Sequence, residues 1–180
     1  MPNQVLVVVT GLPASGKTTV GGLLKHRLGR PLIDKDTILE SLFDSLGSPD
    51  QAARTRLSRA SDEVLFALAA QSPNPVLVNW WNHDSAPSRL RSISPLTVEV
   101  FCDCPFEVAA ARFEARSRHP GHHDPQRSPA EVADQVRRLR ETYPGPLRLG
   151  GPLIHVDTSD VLDSDLVVSQ VQAEVAELSR

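Results

Sequence analysis

Val5-Leu6-Val7-Val8-Val9-Thr10-Gly11-Leu12-Pro13-Ala14-Ser15-Gly16-Lys17-Thr18-Thr19 decides the fold. Its first part, Val5–Thr10, is an unbroken β-branched and apolar run, the pattern of a strand buried on both faces. Gly11–Thr18 then satisfies the phosphate-binding pattern G-x-x-x-x-G-K-[ST] at every defined position. Behind it, Lys17–Leu28 carries Val20, Leu23, Leu24 and Leu28 on one stripe and meets Gly29, so a helix starts where the loop stops. Strand, glycine loop and helix in that order make an anion cradle. Gly11 and Gly16 let successive N–H groups turn inward, and the helix N-terminus adds partial positive charge. Lys17 adds a full charge, and Thr18 offers a hydroxyl to a divalent cation. The phosphate contacts expected are Gly11, Ala14, Ser15, Gly16, Lys17, Thr18 and Thr19.

Outward from this stretch, strands and helices alternate. Pro31–Asp34, Val76–Asn79, Thr97–Cys102 and Leu153–Val156 read as four more strands. Asp36 is placed to cap a helix Thr37–Leu46, which Gly47-Ser48-Pro49 breaks. Gln51–Gln71 reads as a longer helix with Leu57, Val64, Leu65 and Leu68 on one face. Helices are also expected at about 86–93, from Phe106 to about Arg118 with Pro105 at its start, from the Ser128-Pro129-Ala130-Glu131 capping box to about Tyr143, and at about 163–178. The expected architecture is a three-layer α/β P-loop NTPase fold. Its five parallel strands stand in the order 2-3-1-4-5, sandwiched between helices, in a single domain over residues 1–180. Ligands of such sheets sit beyond the carboxyl ends of the strands. The segments to inspect are therefore Gly11–Thr18, Asp34–Asp36, Asn79–Asp84, Asp103 and Asp157–Ser159.

Composition narrows the partners. Lys and Arg number 19 against 22 Asp and Glu, a net charge of −3, which argues against a polyanion binder and hence against nucleic acid. The apolar run at 5–9 is too short for a membrane span or signal core, and the two cysteines, Cys102 and Cys104, are too close along a strand for a good disulfide. Reduced thiols in a cytoplasmic protein are expected. A zinc site drawing on Cys102, Cys104, His119, His122 and His123 would match no standard ligand spacing.

The second chemical segment is Ile33-Asp34-Lys35-Asp36-Thr37-Ile38-Leu39-Glu40. Carboxylates at i and i+2 leave a strand end in similar directions. One can join a metal shell while the other accepts the proton of an attacking hydroxyl. Asp36 could also be only a helix cap.

Gly11–Thr19 together with Leu32–Ser41 resembles the small P-loop kinases, especially the shikimate-kinase and chloramphenicol-phosphotransferase-like branch. The resemblance implies Asp36 as the acceptor-binding base and Asp34 as the metal-side partner of Thr18. It identifies Arg112-Phe113-Glu114-Ala115-Arg116-Ser117-Arg118 as the start of an arginine-bearing lid, about 116–130, with Arg116 catalytic and Arg112 on the nucleotide. His155-Val156-Asp157-Thr158-Ser159 is similar to the adenine-side turn, which makes Asp157 and Thr158 nucleotide contacts. An acceptor cap is implied over about 36–71. Where shikimate kinases carry a glycine run, this chain has Asn79-Trp80-Trp81-Asn82-His83-Asp84, which argues against shikimate as acceptor. Trp80 and Trp81 either stack on substrate or pack under the cap. Arg54, Arg56 and Arg59 either face solvent or supply one substrate contact, assigned to Arg56.

The function implied is an ATP- and Mg²⁺-dependent phosphotransferase acting on a hydroxyl of a small molecule. The alternatives are a polynucleotide 5′-hydroxyl kinase and a P-loop ATPase or nucleotide switch without an acceptor. No Asn-Lys-x-Asp guanine motif occurs.

Overall fold

In the computed structural model, residues 4–122 and 129–180 are described, with backbone alone at 129–133, 135 and 136. Residues 123–128 of the lid expected over about 116–130, with the Ser128 cap and His123 among them, lie outside the described residues. Five strands, β1 (Leu6–Gly11), β2 (Leu32–Asp34), β3 (Val76–Val78), β4 (Thr97–Asp103) and β5 (Leu153–Asp157), form one parallel sheet in the order β2-β3-β1-β4-β5. The helices are α1 (Lys17–Leu28), α2 (Lys35–Leu46), α3 (Gln51–Gln71), α4 (Ala86–Ile93), α5 (Phe106–Ala115), α6 (Pro129–Thr142) and α7 (Ser164–Leu178). Among the described residues no helix is long and apolar enough to cross a membrane.

The central strand shows why the order is stable. Every residue of β1 is buried. Val5, Val7 and Val9 point to one face and pack in a cluster with Val20 and Leu24 of α1 and Val168 and Val171 of α7. Leu6 and Val8 point to the other face and join Leu65 and Phe66 of α3 and Leu90 of α4. Side chains alternate across a strand, so a run that is apolar at every position must be covered on both sides.

Four local expectations are corrected. Asp34, not Asp36, caps α2: its carboxylate accepts from the Asp36 backbone N–H at 2.9 Å, and Asp36 lies inside the first turn. In α3 the buried face is Ala53, Ser61, Leu65, Phe66 and Ala69, while Val64 and Leu68 are 40% and 42% exposed. Helix α5 ends at Ala115, so Arg116 and Arg118 lie on an extended segment and Arg112 and Arg116 do not share a helix face. The stretch from His119 offers no apolar core residue and by sequence should be a solvated loop, but it turns at Pro120–His122 and His122 is fully buried.

Candidate active site

The loop after β1 has the backbone its glycines predict. Gly11 has φ 140°, Ala14 φ 60° and Gly16 φ 94°. A Cβ on Gly11 would lie 2.6 Å from Ser15 Oγ and 2.8 Å from the Cys102 carbonyl oxygen, so the loop closes there only around glycine. Ser15 is wholly buried beneath the loop. Lys17 Nζ donates to the carbonyl oxygens of Gly11 (3.1 Å) and Leu12 (2.6 Å). Burial lowers its pKa to about 8, with the carboxylates of Asp36 and Asp34 acting in the opposite direction.

Next to it, Asp34 has both carboxylate oxygens engaged. Oδ1 takes the Asp36 N–H, and Oδ2 accepts from Thr18 Oγ1 at 3.1 Å. The same carboxylate thus starts α2 and fixes the hydroxyl of the phosphate loop. Burial raises its pKa above the ordinary value, countered by the bonds from Asp36 and Thr18. A buried carboxylate that costs energy to ionise, set beside a loop hydroxyl, is the donor set a hard divalent cation uses. Thr18 and Asp34 fit Mg²⁺. Asp36, one residue pair further, is exposed and reaches Arg118 at 3.2 Å.

These groups open onto one cleft of about 710 Å³ at the carboxyl ends of the strands. Ala14, Gly16, Lys17, Thr18, Thr19, Asp34, Asp36, Trp80, Arg112, Arg116 and Thr158 all line it. Arg112 donates to the carbonyl oxygens of Thr158 (2.6 Å) and Ser159 (2.8 Å), which joins α5 to the turn after β5. Trp80 is 44% exposed, stacks on Tyr143 at 5.6 Å and lies 5.9 Å from Lys17 Nζ.

A shikimate kinase of Paracidovorax citrulli is 32% identical over 142 residues, covering 77% of this chain and 73% of that protein. The solved structure of a provisionally assigned kinase from Chloroflexus aurantiacus superposes with a TM-score of 0.82 at 30% identity, over 96% of this chain and 98% of that one. The shikimate kinase of Bacteroides thetaiotaomicron shares the fold, with a TM-score of 0.61 at 19% identity over 96% and 98% of the two chains. The family model AAA_33, described as an AAA domain, matches residues 6–142. The chain belongs to this family, in its small P-loop kinase group.

Not every residue singled out in the sequence reaches the cleft of this P-loop kinase. Trp81 is buried in the core, its indole N–H donating to the Val9 carbonyl at 2.9 Å and its ring against Phe66. Arg56 is exposed and off the cleft, whereas Arg54, two residues earlier on α3, lines it. Asp157 is exposed and folds back on Ser159 N and Oγ (2.8 and 2.6 Å). Gly11 and Ser15 shape the loop from beneath without lining the cleft. Burial pushes the Cys102 thiol up to about 12, so it is a protonated core residue. His119 and His122 bond to Asp44 and Glu40 of α2 rather than approaching the cysteines.

Sequence reasoning assigned no role in the cleft to Lys35, Ser58, Asn79 and His122, all on its wall. Three of them form one network. Lys35 Nζ bonds Ser58 Oγ at 3.0 Å and Asp62 at 3.1 Å, and Asp62 also accepts from Asn79 at 3.0 Å. Polar residues at i and i+4 on α3, facing the ends of β2 and β3, carried that signal.

Proposed function

We propose that this P-loop kinase transfers the γ-phosphoryl group of ATP to a hydroxyl group of a small molecule, with Mg²⁺. The observation that carries the reading is the division of labour between two neighbouring carboxylates. Asp34 is committed to Thr18 and to the start of α2, while Asp36, which caps nothing, is turned to the open cleft.

In this reading Thr18 and Asp34 would hold Mg²⁺, which supplies charge neutralisation on the phosphate oxygens when bound. The backbone N–H groups from Ala14 to Thr19 and Lys17 hold the triphosphate, and Arg112 and Thr158 flank the nucleotide base. Asp36 orients the acceptor hydroxyl and takes its proton as the oxygen bonds to phosphorus and the bridging oxygen leaves with ADP. Arg116 meets charge on the transferring group. Trp80 provides an indole face to the acceptor, and Arg54 takes the substrate contact expected of Arg56. An indole in this wall favours an acceptor other than shikimate.

The test is product analysis with ATP, Mg²⁺ and a panel of hydroxyl compounds that includes shikimate and a 5′-hydroxyl oligonucleotide. A phosphorylated small molecule formed in step with ADP is expected. Asp36→Asn should lower its rate about 10²–10⁴-fold, with affinity for a non-hydrolysable ATP analogue within threefold. ADP and inorganic phosphate alone, whatever the acceptor, would make the protein a nucleotide switch.

A further inference from the structure

Along one wall of the cleft, helix α2 and the segment after α5 are joined by a cluster of paired carboxylate and basic side chains, of which the reaction above uses Asp36. Asp36, Glu40 and Asp44 are spaced by four on α2 and share one face. Each meets a basic side chain of residues 118–122. Arg118 reaches Asp36 at 3.2 Å, His122 Nε2 reaches Glu40 at 3.0 Å and His119 Nε2 reaches Asp44 at 3.0 Å. The turn between them is tied internally. The Gly121 N–H donates to His119 Nδ1 at 3.0 Å and the His122 N–H to the His119 carbonyl at 3.0 Å, so the proton of the His119 ring is on Nε2, facing Asp44.

Phe43 fills the centre. It is buried, stacks on His119 at 5.6 Å and takes the His122 ring edge-on at 5.2 Å. Gly121 lies flat on the same ring, and a Cβ there would run into it. The Ser48 hydroxyl donates to the Gly121 carbonyl at 3.2 Å and closes the far side. Two anchors therefore bracket a short extended stretch. One is the end of α5, where Arg116 N still bonds the Arg112 carbonyl at 3.2 Å, and the other is the turn on Phe43. Arg116 and Arg118 lie between them and line the cleft.

We propose that the contacts of Phe43, Gly121 and His122 with Glu40 are a clasp that positions Arg116 for phosphoryl transfer, fixing it over the cleft and tying it to the helix that carries Asp36. The role rests on the kinase reading above. Charge placed in advance stabilises a transition state without reorganisation, and displacement by about 1 Å can lose about 10²-fold. The Arg116 guanidinium lies over the Phe113 ring of α5 at 4.3 Å, but its backbone, outside helix and sheet, has no ladder of its own, and the clasp supplies that anchorage. Phe43, Gly121, His122 and Glu40 are positioning residues, because they act through Arg116.

The test compares affinity for Mg·ADP with that for Mg·ADP plus aluminium fluoride, which mimics the phosphoryl group in flight and needs no acceptor. Wild type should prefer the fluoride complex. Gly121→Val, His122→Ala and the partly exposed Glu40→Ala should each lower that preference about 10–100-fold while leaving the ADP affinity within twofold. Glu40→Gln, which keeps an accepting oxygen, should restore it. Arg116→Ala combined with His122→Ala should lose no more than Arg116→Ala alone, and hydrogen exchange over residues 116–122 should speed up in the clasp variants. Multiplying losses in the double variant, or a preference unchanged in Glu40→Ala and Gly121→Val, would overturn the clasp. Equal affinities in wild type would remove the kinase reading itself, and the clasp's role with it.

Discussion

At Lys17 two demands conflict. The lysine must be charged to hold a triphosphate, yet its burial lowers the pKa to about 8. Below about pH 7 the charge is present, and it is lost as pH rises through 8. Affinity for an ATP analogue should therefore be flat to about pH 7, then fall. A bound triphosphate restores the charge, so binding near pH 8 should take up a proton, measurable by calorimetry in two buffers of different ionisation enthalpy. Lys17→Arg should flatten the profile, since guanidinium keeps its charge throughout. Constant affinity from pH 7 to 10 in wild type, with no loss of affinity in Lys17→Met, would remove Lys17 from the phosphate contacts. Stability moves the other way. An unfolded lysine holds its proton to about 10.5, so between 8 and 10.5 the unfolded chain binds more protons and stability rises with pH. The neighbouring carboxylates separate just as sharply. Asp36 caps nothing, so Asp36→Asn should leave the melting temperature within about 2 °C. Asp34→Asn still caps α2, as asparagine does, but should raise the Mg²⁺ concentration needed for half-maximal turnover. A melting temperature that falls with Asp36→Asn alone would return the cap to that residue.

Among the elements, β4 holds a group that its sequence concealed. Glu99 is 1% exposed in the middle of the sheet and accepts from Thr10 Oγ1 (2.8 Å), Leu147 N (2.7 Å) and Arg148 N (2.9 Å). It ties β1, just before the phosphate loop, to the turn that leads into β5, where Arg148 adopts φ 56°. Glu99→Leu would strand two buried donors, the Leu147 N–H and the Thr10 hydroxyl, at about 1–3 kcal/mol each. The melting temperature should then fall by about 10 °C for a chain of this size. A fall under about 3 °C would show that the turn finds other partners. Such a carboxylate is invisible to periodicity, because its partners are about fifty and ninety residues away in the chain. The same limit explains the errors in α2 and α5. Asp34 and Asp36 are both good caps by type, and the choice went to the residue whose other oxygen Thr18 could reach. Helix α5 stops at Ala115, and the residues beyond it, 118–122, bond to α2, a contact between distant segments that local periodicity does not report. By contrast, β1, its loop and α1 were legible because glycine, lysine and the valine run each have one local physical use there. For Trp80 and Trp81 the sequence left stacking on substrate and packing under the cap both open, and only the packing against Phe66 and Val9 put Trp81 in the interior.

For the whole molecule the question is whether the acceptor-side helices form a unit that can open by itself. Leu65, Phe66 and Ala69 of α3 share one apolar cluster with Leu6, Val8 and Leu77 of the sheet. The opposite face of β1 is covered by α1 and α7. A strand common to both layers means neither can come away without exposing the other's core. We infer one cooperative domain, in which the cap is an edge of the fold rather than a second body. Trp81 reports on this directly, being buried against Phe66 of α3 and bonded to Val9 of β1. In Trp80→Phe, where it is the remaining indole, urea unfolding followed by its fluorescence should coincide with the loss of helix followed by circular dichroism. An ATP analogue at about a hundred times its Kd should stabilise both transitions equally, by about 2.7 kcal/mol, because ligand bound only to the folded state moves the whole equilibrium. A fluorescence transition at lower urea than the helical one, with the nucleotide shifting only the later of the two, would mean that α3 and the acceptor wall unfold separately from the phosphate-binding core.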